Sequence, residues 1–199
     1  MLSFLLIFLA SSSCGQSFYY KFNERFQTNF TTDDHFIVAK YRIIRVIDGD
    51  TVQTDIGDIV RLIFIDTPET LKRDNKDKLA PYEDFYAQRA RLFLKDLANK
   101  QEYFWFEFRK NDIYGRRLAI IFLDQNYDVK KSVNYEMVFN GLARNSFYNF
   151  KPDLGSLNPR KDKENQLYYA LIEAQNEAKM HKRNIWMHSA QLVFSRNYK

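Results

Sequence analysis

Two acidic turns carry the residues most capable of chemistry: Ile-Asp-Gly-Asp-Thr at 47–51 and Ile-Asp-Thr-Pro-Glu-Thr at 65–70. Taken singly, each is ordinary turn chemistry, because Asp-Gly and Thr-Pro recur in loops of every kind. Taken together, they set Asp48, Asp50, Asp66 and Glu69 at strand ends. Carboxylates gathered in one place repel one another unless a cation or arginines neutralise them. Hard oxygen donors of this kind suit Ca²⁺ or Mg²⁺ rather than zinc or copper. Arg61 lies five residues before Asp66 in the run RLIFID. In a regular strand that odd separation sends the two side chains to opposite faces, so bringing them together requires a bulge or a bend. Arg116 follows the tight-turn pair Tyr114-Gly115 just before an apolar run. Alone, it reads as a surface arginine of a hairpin.

Strands must present these turns, and helices must close the core behind them. Residues 37–47, 51–54 and 59–65 are β-branched and aromatic runs bounded by Asp and Gly, with DIGD at 55–58 as a hairpin turn. Residues 103–109 and 118–123 read as two buried strands separated by the turn NDIYGR. Tyr82, Tyr86, Ala90, Phe93, Leu94 and Leu97 recur at helical spacing, with Pro81 near the start. A short helix is expected over 133–139, closed by Gly141, and a longer one carries the stripe Leu167, Ala170, Leu171, Ala174 and Ala178. The charged run KRDNKDK at 72–78 has no apolar face and reads as a solvated loop. Five strands, mostly ahead of three helices, predict an α+β fold: a small closed barrel with helices packed against it.

The chain has 199 residues, 45% hydrophobic and 28% charged, a globular balance that excludes disordered and collagen-like classes. Six glycines and four prolines exclude long flexible linkers, and 18 Phe with 13 Tyr can fill a core without staples. A single cysteine excludes an intrachain disulfide, and three histidines in no ligand-like spacing argue against structural zinc. The net charge of +5 permits a polyanionic partner.

The first ten residues, MLSFLLIFLA, are followed by Ser11, Ser12, Ser13 and Cys14. This run is shorter than the ~20 residues a membrane-spanning helix needs. It suits the apolar centre of a secretion signal, although no Lys or Arg precedes it. Cys14 stands where such a signal would end, which resembles a bacterial lipoprotein signal whose cysteine is lipidated; an ordinary cleaved signal is the alternative.

Read in order, IDGDTV (47–52), RLIFIDTPET (61–70), DIYGRRLA (112–119), NGLAR (140–144), Lys151-Pro152, EAQNEAK (173–179) and NIW (184–186) resemble the staphylococcal nuclease family. The resemblance implies an OB-fold five-stranded barrel with three helices over residues 37–190. Residues 1–16 would then be the signal, 17–36 a lead-in and 191–199 a tail that packs on the barrel. It further implies Ca²⁺ held by Asp50, Asp66 and the carbonyl of Thr67, with Arg61, Glu69 and Arg116 catalytic. Nucleotide contacts fall to Asp112, Tyr114, Tyr148 and Lys151; the segment NSFYNFKP is one residue longer than in the family, leaving Phe147, Tyr148 and Phe150 as alternative pocket aromatics. Ile113 stands where the family carries a lysine.

The implied activity is hydrolysis of DNA and RNA at the bond to the 5′ oxygen, leaving 3′-phosphate ends. Guanidinium forks and a divalent cation would stabilise charge growing on the phosphate oxygens, while Glu69 orients water or takes its proton. Such groups address phosphate rather than bases, so low sequence specificity and a preference for flexible single strands are expected. Nothing in the sequence calls for more than a monomer. The rival expectation is a non-catalytic barrel of the same family that binds nucleic acid or protein.

Overall fold

In the computed structural model, which describes residues 38–73, 78–147, 150–153, 155 and 158–195, the first β-rich run forms two consecutive strands. They are β1 (Val38–Tyr41) and β2 (Ile43–Val46), interrupted only at Arg42. The segment 1–16 with Cys14, the lead-in at 17–36, Tyr148, part of the charged loop and the last four residues lie outside the described residues. Next come β3 (Thr51–Thr54), β4 (Ile59–Leu62), β5 (Ile65–Asp66), α1 (Glu83–Lys100), β6 (Phe104–Asn111) and β7 (Arg117–Phe122). After them lie α2 (Val133–Phe139), β8 (Arg144–Asn145), α3 (Pro159–Met180) and α4 (Ala190–Val193).

The main sheet runs β1-β6-β7-β4-β3-β2, so its two edges are the two halves of one run of chain. That arrangement curls the sheet on itself, and with the helices it makes an α+β, OB-like fold. The eight strand segments comprise the five expected runs (β1 and β2 are one run split at Arg42, and β5 continues β4 after a bend) and one that was not expected, β8, which pairs with β5. Only β4 and β7 run parallel; the other neighbours are antiparallel. Alternation in β4 (Val60 and Leu62 buried, Ile59 and Arg61 partly exposed) directs one face inward. β7 is buried over its last four residues, as expected of a strand covered on both faces.

The core joins Val52, Val60, Leu62, Phe106 and Ile121 of the barrel to Leu94 of α1, Met137 of α2, and Leu167 and Leu171 of α3. The predicted helical stripes therefore face inward, except that Tyr82 precedes α1 and is exposed. α3 begins eight residues before Leu167, where Asn158 caps it by accepting from the Lys161 N–H at 3.3 Å. α2 is capped by Ser132, whose hydroxyl accepts from the Tyr135 N–H at 3.1 Å, and Gly141 ends it at φ +66°. Beyond the expected three helices, α4 starts one residue before the expected tail boundary and packs Val193 and Phe194 with Tyr86 and Ile185.

Candidate active site

The bend that the odd Arg61–Asp66 spacing requires occupies residues 63–64. Phe64 sits in the left-handed region at φ +63°, an uncommon conformation for a bulky side chain. Asn134 secures the bend from below. It is fully buried, donates from Nδ2 to the Ile63 carbonyl at 2.9 Å, and accepts at Oδ1 from the Ile121 N–H at 3.1 Å. With the chain turned there, Arg61 reaches both acidic turns: Nη1 donates to Asp50 Oδ1 at 2.7 Å and Nη2 to Asp66 Oδ1 at 3.5 Å.

Pairing explains why the two turns converge. Thr51 stands opposite Arg61 in the β3–β4 ladder, which brings Asp50 to the same strand end. A Cβ at Gly49 would lie 2.7 Å from the Cβ of Ala90 in α1 and 3.0 Å from that of Thr67, so only glycine lets the first turn seat against the second. Asp50 and Thr67 are both buried. The Asp50 carboxyl is pushed up to about 7, chiefly by burial and further by Asp48 and Asp66, against the opposing pull of Arg61 and the Thr51 hydroxyl. Burial lowers the pKa of Arg61, but Asp50, Asp66, Asp48 and Glu69 outweigh it and hold the guanidinium charged. Glu69 is half exposed, its carboxylate 3.9 Å from Lys72 Nζ.

Asp112 builds the second arginine's turn. Its Oδ1 accepts from the Tyr114 and Arg116 N–H groups, each at 2.9 Å, and its Oδ2 takes both Nε and Nη2 of Arg116 at 2.7 Å. Burial raises the Asp112 pKa, yet these bonds outweigh it and leave the carboxyl below its ordinary range. Arg116 immediately precedes β7, whose Leu118 pairs with Arg61 of β4, so the hairpin lies beside the strand that carries Arg61. The Arg116 guanidinium lies over the Tyr114 ring, 5.4 Å from its centroid, and Ile113 beside it is 92% exposed.

The sequence-predicted residues thus fall into two groups. Asp50, Asp66, Thr67, Arg61 and Glu69 gather at the strand ends; Asp112, Tyr114 and Arg116 form the hairpin beside β4. Lys151 is exposed, and of the alternative pocket aromatics Phe147 and Phe150 both pack on Phe64, at 5.6 and 4.6 Å between centroids. Arg144 was not singled out, although it lies within NGLAR. It stands directly opposite Asp66 in the β5–β8 pair and donates to Asp66 Oδ2 from Nε at 3.0 Å and from Nη2 at 2.9 Å.

Among the described residues no group of three or more His, Cys, Asp or Glu is placed to hold a metal. The chain can offer two carboxylates and the Thr67 carbonyl, a hard and incomplete oxygen set that leaves the remaining positions to water or phosphate. By the chemistry of this donor set the site fits a hard divalent cation.

A family model described as "Staphylococcal nuclease homologue" matches residues 59–188. The chain is 31% identical to the "Thermonuclease" of Staphylococcus hyicus and 35% identical to that of Staphylococcus intermedius. Each match covers 73% of this chain and 75% of the relative. It is 32% identical to "Endonuclease YncB" of Bacillus subtilis (strain 168), over 75% of this chain and 62% of the relative. The chain belongs to the staphylococcal nuclease family.

Proposed function

We propose that the chain is an exported, Ca²⁺-dependent nuclease that hydrolyses the phosphodiester bonds of DNA and RNA with low sequence specificity, prefers single strands and leaves 3′-phosphate ends. The observation that carries this reading is Arg61 gripped by Asp50 and Asp66 at a site where Glu69 also acts on its charge. A guanidinium held by buried carboxylates is pre-organised, so its fork meets a phosphate without being reordered at the moment of reaction. Arg116, fixed by the Asp112 clamp in the hairpin beside β4, offers a second fork. Glu69, half exposed beside this charge, orients the attacking water and accepts its proton. Asp50, Asp66 and the Thr67 carbonyl are the residues that would hold Ca²⁺, which when bound supplies charge stabilisation at the phosphate. Names of the relatives, thermonuclease and endonuclease, support the reaction class.

All these groups address phosphate, which carries no base information, and this is why specificity should be low. The apolar segment at 1–16 supports export, with Cys14 as the lipid attachment point and the monomer as the working form. Cleavage of a 5′-labelled single-stranded oligonucleotide tests the chemistry: phosphatase should shift the mobility of every product, and products that phosphatase leaves unchanged would refute a 3′-phosphate end. Fatty-acid labelling of the parent but not of Cys14→Ala would support the anchor; no label on either removes it.

A further inference from the structure

Residues 190–195 return to the acidic end of the barrel, past the region that matches the family, which ends at residue 188. Val193 and Phe194 are buried in a small cluster with Tyr86 and Ile185, separate from the main core, and the Leu192 carbonyl accepts from the Tyr82 N–H at 2.8 Å. Two contacts lead from here into the site. The Phe194 ring lies against the Arg144 guanidinium, 3.9 Å from the ring centroid, and that guanidinium grips Asp66 through two nitrogens. The Ser195 N–H donates to Glu83 Oε2 at 2.9 Å.

Glu83 is buried at the start of α1, and its carboxylate gathers main-chain donors from three segments. Oε2 also accepts from the Ala80 N–H at 2.8 Å, and Oε1 faces the Glu69 N–H at 3.5 Å. Asp66 and Glu69 are therefore each one side chain away from the pair Phe194-Ser195.

We propose that Phe194 and Ser195 are positioning residues of the nuclease site. Phe194 holds Arg144, and through it Asp66; Ser195 holds Glu83, and through it the backbone of Glu69. The ring packs against the cation, and the cation fixes the carboxylate's orientation. The main-chain N–H of Ser195 orients a buried carboxylate that must satisfy several donors at once. The chemistry assigned to Asp66 and Glu69 rests on the proposed nuclease reading; the linkage itself does not.

The test uses the full chain and three substitutions. Phe194→Leu keeps apolar volume but removes the ring face, and Phe194→Tyr keeps the face. Ser195→Pro removes the N–H, and Phe194 already has the extended backbone (φ −128°, ψ 117°) that a residue before proline adopts. Turnover of single-stranded DNA, the unfolding midpoint and hydrogen exchange at the Glu69 amide are measured. Phe194→Leu and Ser195→Pro should each lower kcat by about tenfold with KM within about twofold, as loss of an orienting partner does. Phe194→Tyr should restore kcat, and Ser195→Pro should speed exchange at Glu69. Two results overturn the proposal: unchanged kcat in both variants, or a loss that follows the unfolding midpoint and is not restored by Phe194→Tyr. If the parent cleaves nothing, the nuclease reading fails. Exchange at Glu69 then still decides the linkage: faster exchange in Ser195→Pro upholds it and unchanged exchange overturns it.

Discussion

Asp50→Asn should stabilise the protein in chelator while abolishing its activity. Asp50 is 2% exposed, and its carboxyl is pushed from 3.8 up to about 7. Below pH ~4 the folded and unfolded chains both carry the proton, so this group is neutral in the balance. Between ~4 and ~7 the folded chain keeps a proton that the unfolded chain has lost, and stability falls by about 1.4 kcal/mol per pH unit. Above ~7 the penalty levels off near three units, about 4 kcal/mol. Asn keeps an oxygen to accept from Arg61 but carries no charge, so the substitution relieves up to that amount; water entry and side-chain relaxation reduce it. Urea unfolding in EDTA should therefore show a gain of about 2–4 kcal/mol at pH 8 that shrinks to about 1 kcal/mol at pH 5. Added Ca²⁺ should stabilise the parent more than the variant. An equal gain at the two pH values, or a loss at pH 8, would refute the electrostatic reasoning.

Other perturbations test how the site is held. Asn134→Leu leaves the buried Ile121 N–H and Ile63 carbonyl without their partner, which should cost about 2–4 kcal/mol in a urea melt and lower kcat by loosening the bend. Gly49→Ala forces a methyl group against Ala90 and Thr67, so a loss of about 1–3 kcal/mol with reduced activity is expected from thermal unfolding and turnover. Arg144→Gln removes the charge that grips Asp66; kcat on single-stranded DNA should fall about tenfold or more, and an unchanged kcat would show that Asp66 needs no such partner.

Much of this was legible in the residues because the signals are local. Val60 and Leu62 alternate with Ile59 and Arg61, and the stripe from Leu167 to Ala178 repeats at helical spacing, so sheet and helices could be read directly. The acidic turns announced themselves through Asp-Gly and Thr-Pro. The need for a bend between Arg61 and Asp66 followed from strand parity. That Phe64 would supply it had no sequence signal, because positive φ normally selects Gly or Asn, and here the conformation is held by Asn134, 70 residues downstream. Arg144 was hidden for a related reason: it meets Asp66 only through a cross-strand register spanning 78 residues. Glu83 carried no signal in the sequence, and only the folded chain shows its carboxylate receiving donors from residues 80 and 195.

The central claim is tested most directly by incubating the protein with single-stranded DNA, with Ca²⁺ and with Ca²⁺ chelated, beside Glu69→Gln. The account predicts cleavage that requires Ca²⁺ and falls by about 150-fold or more in the variant, about 3 kcal/mol or more of lost transition-state stabilisation. Tight binding without cleavage, or cleavage indifferent to both chelation and Glu69, would contradict it.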